Sequence, residues 1–139
     1  MSLRIFNESK SEYREYLRNK MFEFNSLHFP DSLKGRFAEL NLFLLDSEDQ
    51  IRGGVIGEFC WNWLEIHYVF VDQLFRHSGY GRNLLKEAER ISRLKQCDFI
   101  KLDTLSFQAL EFYQKEGYEI FGTLENAGGY THYYLKKNL

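Results

Sequence analysis

Residues 69–82 read VFVDQLFRHSGYGR and take the chain from a strand-like run, through a glycine-bearing loop, into a helix. A helix N-terminus presents unpaired N–H groups at the positive end of its dipole, and glycines let the backbone approach an anion closely. The segment therefore suits a phosphate group. A Walker loop is excluded because the Gly-Lys-Ser/Thr ending is absent. A dinucleotide fingerprint is excluded because Leu84 stands where its third glycine belongs.

The predicted sheet begins upstream of this segment. Three strand-like runs, at residues 40–45, 51–60 and 63–71, are separated by short polar connections. Their β-branched and aromatic content, together with the hairpin-length gaps, predicts an antiparallel meander. Nearer the N-terminus, residues 9–12, SKSE, predict a capping box at the start of a first helix, and a short strand is expected at residues 4–7.

The hydrophobic period changes after the glycine-bearing loop. Residues 99–104 read as the next strand. Because a helix separates them from residues 63–71, the connection is a crossover, and the two strands should be parallel neighbours. The apolar face of that helix, which begins near Gly81, consists of Leu84, Leu85, Ala88, Ile91 and Leu94.

The C-terminal part predicts a short helix and a hairpin. Residues 109–116 form the helix, and Gly117 stands where a left-handed C-cap residue ends it. Residues 118–124 and 131–136 then pair around a glycine-rich turn. The length of 139 residues predicts a single domain over residues 1–139.

The charge distribution favours a small anionic ligand over nucleic acid. Residues 76–101 carry seven Lys and Arg against three Asp and Glu, although the whole chain has a formal net charge of −2. These cations lie on one helix-like stretch without an RNA-binding signature, so no nucleic acid partner is expected. Cys60 and Cys97 follow no metal-ligand or redox spacing and are expected as buried thiols.

Two kinds of segment are missing from the sequence. No charged-then-apolar leader opens the chain, and no apolar run approaches the ~20 residues that span a bilayer. A cytoplasmic location without a membrane partner is expected. The four histidines are scattered, so no metal is expected either.

The pattern Arg76-x-x-Gly79-x-Gly81 resembles the pyrophosphate-binding motif of the GNAT superfamily of acyl-CoA N-acyltransferases, usually written Arg/Gln-x-x-Gly-x-Gly/Ala. The segment from Ala109 through Tyr113 to Tyr118 follows in the order seen in that superfamily. The resemblance covers roughly residues 40–136. It implies an α/β GNAT fold: a mixed, mostly antiparallel central sheet of about six to seven strands, with helices on both faces and a splayed parallel strand pair that holds CoA.

The same resemblance implies where acetyl-CoA, the acyl donor, would be held. Val69 N–H would meet the thioester carbonyl, and Val71 N–H the pantetheine arm, with Phe70 between them. Ser106 stands where the family often has asparagine, so a shorter hydroxyl would there bond the pantetheine or cap the helix, and Phe107 would line the acyl channel. The pyrophosphate would be surrounded by Arg76, His77, Ser78, Gly79, Tyr80, Gly81 and Arg82.

Amine acetylation also requires proton handling, because a primary amine with a reference pKa of ~10 is protonated at neutral pH. Glu65 falls where some GNAT enzymes place a glutamate base, and His67 lies on the same strand face by alternation. A solvated carboxylate and a hydrogen-bonded core imidazole are the structural alternatives for these two residues. Tyr113 resembles the family's tyrosine general acid, with plain packing as its alternative.

The expected activity is direct transfer of an acetyl group from acetyl-CoA to an amine, preferably one on a small molecule. No nucleophile elbow or Cys–His motif indicates a covalent acyl-enzyme. A catalytically silent CoA-binding regulatory module and a protein N-acetyltransferase are the alternatives. Exposed strands of the last hairpin are available for pairing across a homodimer.

Overall fold

The strand pattern of the sequence becomes one continuous sheet in the computed structural model, which describes all of residues 1–139. By internal packing the chain divides into two compact units, Met1–Lys34 and Gly35–Leu139. No helix in either unit is both long enough and apolar enough to cross a membrane.

The first unit contains helix α1, Ser11–Ser26, and a short 3-10 helix, Asp31–Leu33. The predicted strand at residues 4–7 is wrong: no strand forms there, and the unit contains no other strand with which it could pair. The predicted capping box is wrong as well. Lys10 is the N-cap residue, in an extended conformation and without a side-chain capping bond.

The second unit confirms the predicted mixed, mostly antiparallel sheet with six strands in the order β1-β2-β3-β4-β6-β5. The strands are β1 (Ala38–Leu45), β2 (Ile51–Phe59), β3 (Trp63–Val71), β4 (Phe99–Leu105), β5 (Glu119–Ala127) and β6 (Tyr130–Asn138). A 3-10 helix, Gln73–Phe75, follows β3. Helix α2 (Tyr80–Leu94) joins β3 to β4, and helix α3 (Leu110–Lys115) joins β4 to β5.

The predicted parallel pairing of β3 with β4 is confirmed, and it is short. It covers only the registers from Trp63↔Phe99 to Glu65↔Lys101, whereas β4 pairs with β6 along its whole length. Beyond Glu65, strand β3 keeps only its antiparallel partner, β2. The two parallel strands therefore diverge, as the GNAT resemblance implies.

A β-bulge in β3 changes which of its residues face the core. Tyr68 pairs with Ile56 and Ile66 pairs with Gly57, so His67 is an extra residue opposite no partner. Before the bulge, Leu64 and Ile66 are buried; after it, the inward positions are Val69 and Val71. Because side chains alternate between faces, the extra residue shifts the core-facing positions from even-numbered residues before the bulge to odd-numbered residues after it.

The core of this unit lies between the sheet and the apolar face of α2, where Leu84, Leu85 and Ala88 are buried. Both predicted buried thiols are confirmed, since Cys60 and Cys97 are buried and free. The predicted C-cap is confirmed too. Gly117, with φ of 94°, follows α3 in the left-handed region that glycine adopts without strain.

One carboxylate of α2, that of Glu89, is completely buried and fully partnered. It accepts hydrogen bonds from the Tyr118 hydroxyl at 3.2 Å and from Lys137 Nζ at 2.9 Å. Lys137 Nζ also donates to the carbonyl of Glu116 at 2.8 Å. Burial, reinforced by the Glu89 carboxylate, raises the pKa of Tyr118. These bonds connect α2, strand β6 and the end of α3.

Candidate active site

The divergence of β3 from β4 opens a cavity of about 1240 Å³. Its walls come from the free part of β3, from β4, from the loop and first turn of α2, and from α3. A cavity of this size exceeds the volume of most small-ligand sites, so it has room for a large ligand or for two ligands together.

This cavity passes through the sheet. On β4, Leu102 and Thr104 are buried on the side of the core, and Asp103 between them faces the opposite side, yet all three line the cavity. On β3, the outward His67 and the inward Val69 line it as well. A ligand bound against α2 and α3 could therefore react with a second ligand that enters from the far side of the sheet.

The loop before α2 presents a row of unused backbone donors. His77 and Gly79 have φ of 64° and 87°, and Gly79 is the N-cap residue of α2. No group of the chain accepts a hydrogen bond from the amides of residues 77–82, and the first helical bond runs from Asn83 N–H to the Gly79 carbonyl. Such a row at the positive end of a 15-residue helix has the geometry with which helix N-termini bind phosphate-like anions.

Arg76 is held at the edge of this loop by two contacts. Its Nε donates to the carbonyl of Val71 at 2.7 Å, and its guanidinium lies 5.2 Å from the centre of the Phe70 ring. These contacts fix a positive charge beside the donor row. Six of the seven loop residues predicted from the sequence line the cavity; the exception is Ser78.

A glycine in the first turn of α2 allows α3 to approach closely. A Cβ at Gly81 would stand 3.3 Å from the ring of Phe112. A Cβ at this position would require the Phe112 ring to move by a few tenths of an ångström, next to the wall that carries Tyr113. The second glycine of the motif therefore has a packing role in addition to any role in anion binding.

The free edge of β3 directs two backbone amides into the cavity. Asp72 N–H donates to the Arg52 carbonyl of β2 at 2.8 Å. Because the hydrogen-bonding direction alternates along an antiparallel strand, the N–H groups of Val71 and Val69 point to the other side, which β4 has left. Val69, Phe70 and Val71 all line the cavity.

Tyr113 of α3 reaches the cavity from the core side. The residue is 7% exposed, and its ring contacts those of Phe112 and Tyr118 at centroid distances of 5.3 and 6.0 Å. Burial, with a smaller contribution from the Asp103 carboxylate, raises the pKa of Tyr113 to about 12. The phenol is therefore neutral at physiological pH and available as a hydrogen-bond donor.

The two candidate bases have different surroundings. Glu65 lies in the paired part of β3, where its Oε1 is 2.9 Å from Lys101 Nζ, and it does not line the cavity. His67 lines the cavity, and its Nε2 lies 3.1 Å from Oε2 of Glu58. This contact leaves Nδ1 of His67 free for a ligand. No local sequence pattern points to Glu58 as the partner of this histidine, because the two residues lie on different strands.

Residues after β4 form the cavity wall nearest the last hairpin. Ser106 N–H donates to the carbonyl of Thr131, and Ser106 Oγ accepts from Thr131 N–H at 3.2 Å. The ring of Phe107 packs 4.7 Å from that of Tyr130. Ser106 and Phe107 both line the cavity, so the hairpin turn holds the wall in place. No three His, Cys, Asp or Glu side chains are grouped to hold a metal ion.

Comparison with known proteins agrees with this geometry. An acetyltransferase structure from Bacillus cereus superposes with a TM-score of 0.89 and 36% identity, covering 98% of each chain. Blasticidin-S acetyltransferase of Streptomyces morookaense is 33% identical over 92 residues, which is 65% of this chain and 68% of that protein. A Bacillus anthracis structure assigned as a streptothricin acetyltransferase, solved with acetyl coenzyme A, has a TM-score of 0.67 and 21% identity, covering 81% of this chain and 70% of that one.

The profile of the Acetyltransferase (GNAT) family matches residues 3–118, which include the donor row, the free edge of β3 and Tyr113. Together with the named acetyltransferase relatives, this match shows that the chain is an acyltransferase. The protein belongs to the GNAT family of acetyltransferases.

Proposed function

We propose that this protein transfers the acetyl group of acetyl-CoA to an amine on a small molecule by direct attack, without a covalent acyl-enzyme. The observation that carries the proposal is the row of unpartnered amides at residues 77–82, at one end of a cavity that crosses the sheet and has His67 on the other side. A diphosphate fits the first feature, and an acceptor that approaches from the opposite side fits the second.

The donor lies along the core side of the cavity. Its diphosphate accepts hydrogen bonds from the amides of residues 77–82, and Arg76 adds a positive charge. The pantetheine arm then follows the free edge of β3 towards Val71 and Val69. This places the thioester carbonyl near Val69 N–H, where a preorganised donor can stabilise the developing oxyanion by ~3 kcal/mol.

His67 prepares the acceptor. The amine arrives as an ammonium ion, and Nδ1 of His67, held through Nε2 by Glu58, removes one proton. The neutral nitrogen attacks the thioester carbon, the C–S bond breaks, and the nitrogen loses its second proton to solvent. Acetylated amine and CoA thiolate are the products of this step.

Tyr113 stabilises the departing thiolate by a hydrogen bond. Its raised pKa of about 12 lies well above the ordinary thiol value of ~8.5, so complete proton transfer from the phenol to sulfur is uphill. A neutral phenol that donates to a thiolate is the stable arrangement, and the thiolate takes its proton from solvent after release.

The proposal is tested with acetyl-CoA and a panel of amines that includes blasticidin S and streptothricin, because relatives of this chain carry those names. The assay follows CoA release, and hydrogen exchange follows the amides of residues 77–82. Protection of these amides by acetyl-CoA, with turnover of at least one amine, is expected. Protection without any turnover would favour a regulatory CoA-binding module, and no protection would overturn both.

A further inference from the structure

Asp103 lies in the part of the cavity that the proposed donor does not need. It projects from the side of β4 opposite to the buried Leu102 and Thr104, and it lines the cavity. Asp103 and His67 each stand two residues beyond the last parallel pair, Glu65↔Lys101. Both therefore lie close to the point where β3 and β4 begin to separate, which we call the closed end of the cavity.

The Asp103 carboxylate is held in place from behind. Its Oδ1 lies 3.1 Å from Nε2 of His132, and Nδ1 of the same imidazole lies 3.3 Å from the Tyr134 hydroxyl. Tyr134 is also the register partner of Asp103 on β6. These contacts orient the carboxylate and leave Oδ2 without a partner in the chain. The side chain is 54% exposed, so a ligand can reach it.

Charge divides the cavity into two ends. Arg76 and the donor row lie where β3 runs into α2, together with Arg82, which is paired with Glu116. Val71, at this end, is four residues beyond His67, or roughly 13 Å along an extended strand. The other end carries Asp103, with Glu58 behind His67, and the nearby cation Lys101 is already paired with Glu65. A diphosphate is attracted to the first end and repelled by the second, whereas a cation has the opposite preference.

Asp103 is poorly suited to hold the nitrogen that reacts. A carboxylate beside that nitrogen would stabilise its ammonium form and oppose deprotonation. A second cationic group that does not react is stabilised by the same carboxylate and does not have to lose a proton. We infer that Asp103 binds a second positive charge on the acceptor, so that the enzyme acts on amines carrying another ammonium or guanidinium group. This inference rests on the proposed function, because it specifies the acceptor of that reaction.

The kinetic test compares matched acceptors. Straight-chain diamines of three to six carbons, and their guanidinium analogues, are assayed against monoamines of equal length. The wild-type enzyme should favour the doubly charged acceptor in kcat/KM by about 10- to 100-fold, the range for a hydrogen bond to a charged group. Asp103→Asn should remove this preference through the acceptor KM, with an unchanged KM for acetyl-CoA.

A binding test separates this inference from the proposed reaction. The same amines are titrated calorimetrically into protein saturated with CoA, which has no acetyl group to transfer. Tighter binding of the doubly charged amines, lost in Asp103→Asn, supports the inference even if no amine is acetylated. Equal affinities for single and double charges in the wild type would overturn it, whatever the turnover.

Two further variants test the position of the site. Glu119→Gln removes an exposed carboxylate outside the cavity and should leave the preference intact. Glu111, in the first turn of α3, is the other carboxylate that lines the cavity. If Glu111→Gln abolishes the preference and Asp103→Asn does not, the assignment to Asp103 is wrong.

Discussion

At the scale of the residue, removal of the Tyr113 hydroxyl tests whether this group acts in the chemical step or in the binding of acetyl-CoA. We expect Tyr113→Phe to lower kcat by about 10- to 100-fold, because it removes one hydrogen bond to a thiolate that exists only after C–S cleavage. The Kd of acetyl-CoA should change little. Tyr118→Phe is the matched control: it removes a neighbouring hydroxyl bonded to buried Glu89, so it should cost stability but leave kcat nearly unchanged. Equal kcat for Tyr113→Phe and wild type would contradict a catalytic role.

His67 and Glu65 make a second matched pair of residues. His67→Gln should lower kcat/KM at pH 7 by at least about 100-fold, the usual contribution of a positioned base. The defect should shrink as pH rises towards the amine's reference pKa of ~10, because solution then supplies the neutral amine. Glu65→Gln should stay within a few-fold of wild type, since Glu65 is paired with Lys101 outside the cavity. The reverse ranking in a pH–rate profile would assign the base to Glu65.

Sequence alone could nominate both bases but could not choose between them. Alternation placed Glu65 and His67 on one face of β3, which is a local property. The choice depends on Lys101, Glu58 and the end of the parallel pairing, all of which involve residues distant in the chain. Asp103 was missed for the same reason: its neighbours, His132 and Tyr134, come from another strand.

At the scale of the element, the N-cap residue of α2 is a glycine whose backbone conformation can be tested without introducing a steric clash. Gly79 has φ of 87°, and a Cβ there would meet no atom within 4 Å. Gly79→Ala should therefore cost about 1–2 kcal/mol of stability through backbone strain alone. By displacing the donor row it should also weaken acetyl-CoA binding by about 10-fold, the equivalent of one charge-assisted hydrogen bond.

Gly128, in the turn between β5 and β6, is the control for this strain. It has φ of 63° and equally open surroundings. Gly128→Ala should lose a similar amount of stability in urea unfolding and bind acetyl-CoA with wild-type affinity by calorimetry. If both variants bind acetyl-CoA normally, the amides at the start of α2 are not the anion site.

Elements with a strong local signal could be predicted well. The bounds of β3 agree with the structure at both ends, and Gly117 ends α3 in the predicted conformation, because strand alternation and a left-handed cap are properties of neighbouring residues. The strand at residues 4–7 failed because a strand needs a partner, which no local pattern reveals. The bulge at His67 is likewise set by the register with β2.

At the scale of the whole molecule, buried acidic groups should make stability fall in alkali. Burial, followed by the carboxylates of Glu65 and Glu58, raises the pKa of Cys60 from 9.0 to about 11, and the pKa of Tyr113 rises from 10.0 to about 12. Above about pH 9 the unfolded chain loses these protons first, so the folded state holds more protons and the free energy of unfolding decreases with pH.

Urea unfolding at pH 7.5, 9 and 10.5 measures this decrease. The contribution of each group should be complete below its unfolded pKa and vanish progressively as pH rises towards the folded value. Cys60→Ala removes one titrating group and should give a shallower decline than wild type. A free energy of unfolding that stays constant across this range would contradict the raised pKa values.

The extra residue in β3 has a consequence for how such an enzyme can change. A bulge bends and twists its strand, and this one follows directly on the last parallel pair, Glu65↔Lys101, so it helps β3 to leave β4. Deleting His67 would restore one-to-one pairing with β2, and the registers on either side, Ile66↔Gly57 and Tyr68↔Ile56, would be kept. The amides of Val69 and Val71 would still point away from β2, whereas the proposed proton acceptor and the bend would both be lost. A relative that lacks this residue should therefore have a narrower cleft and a different base.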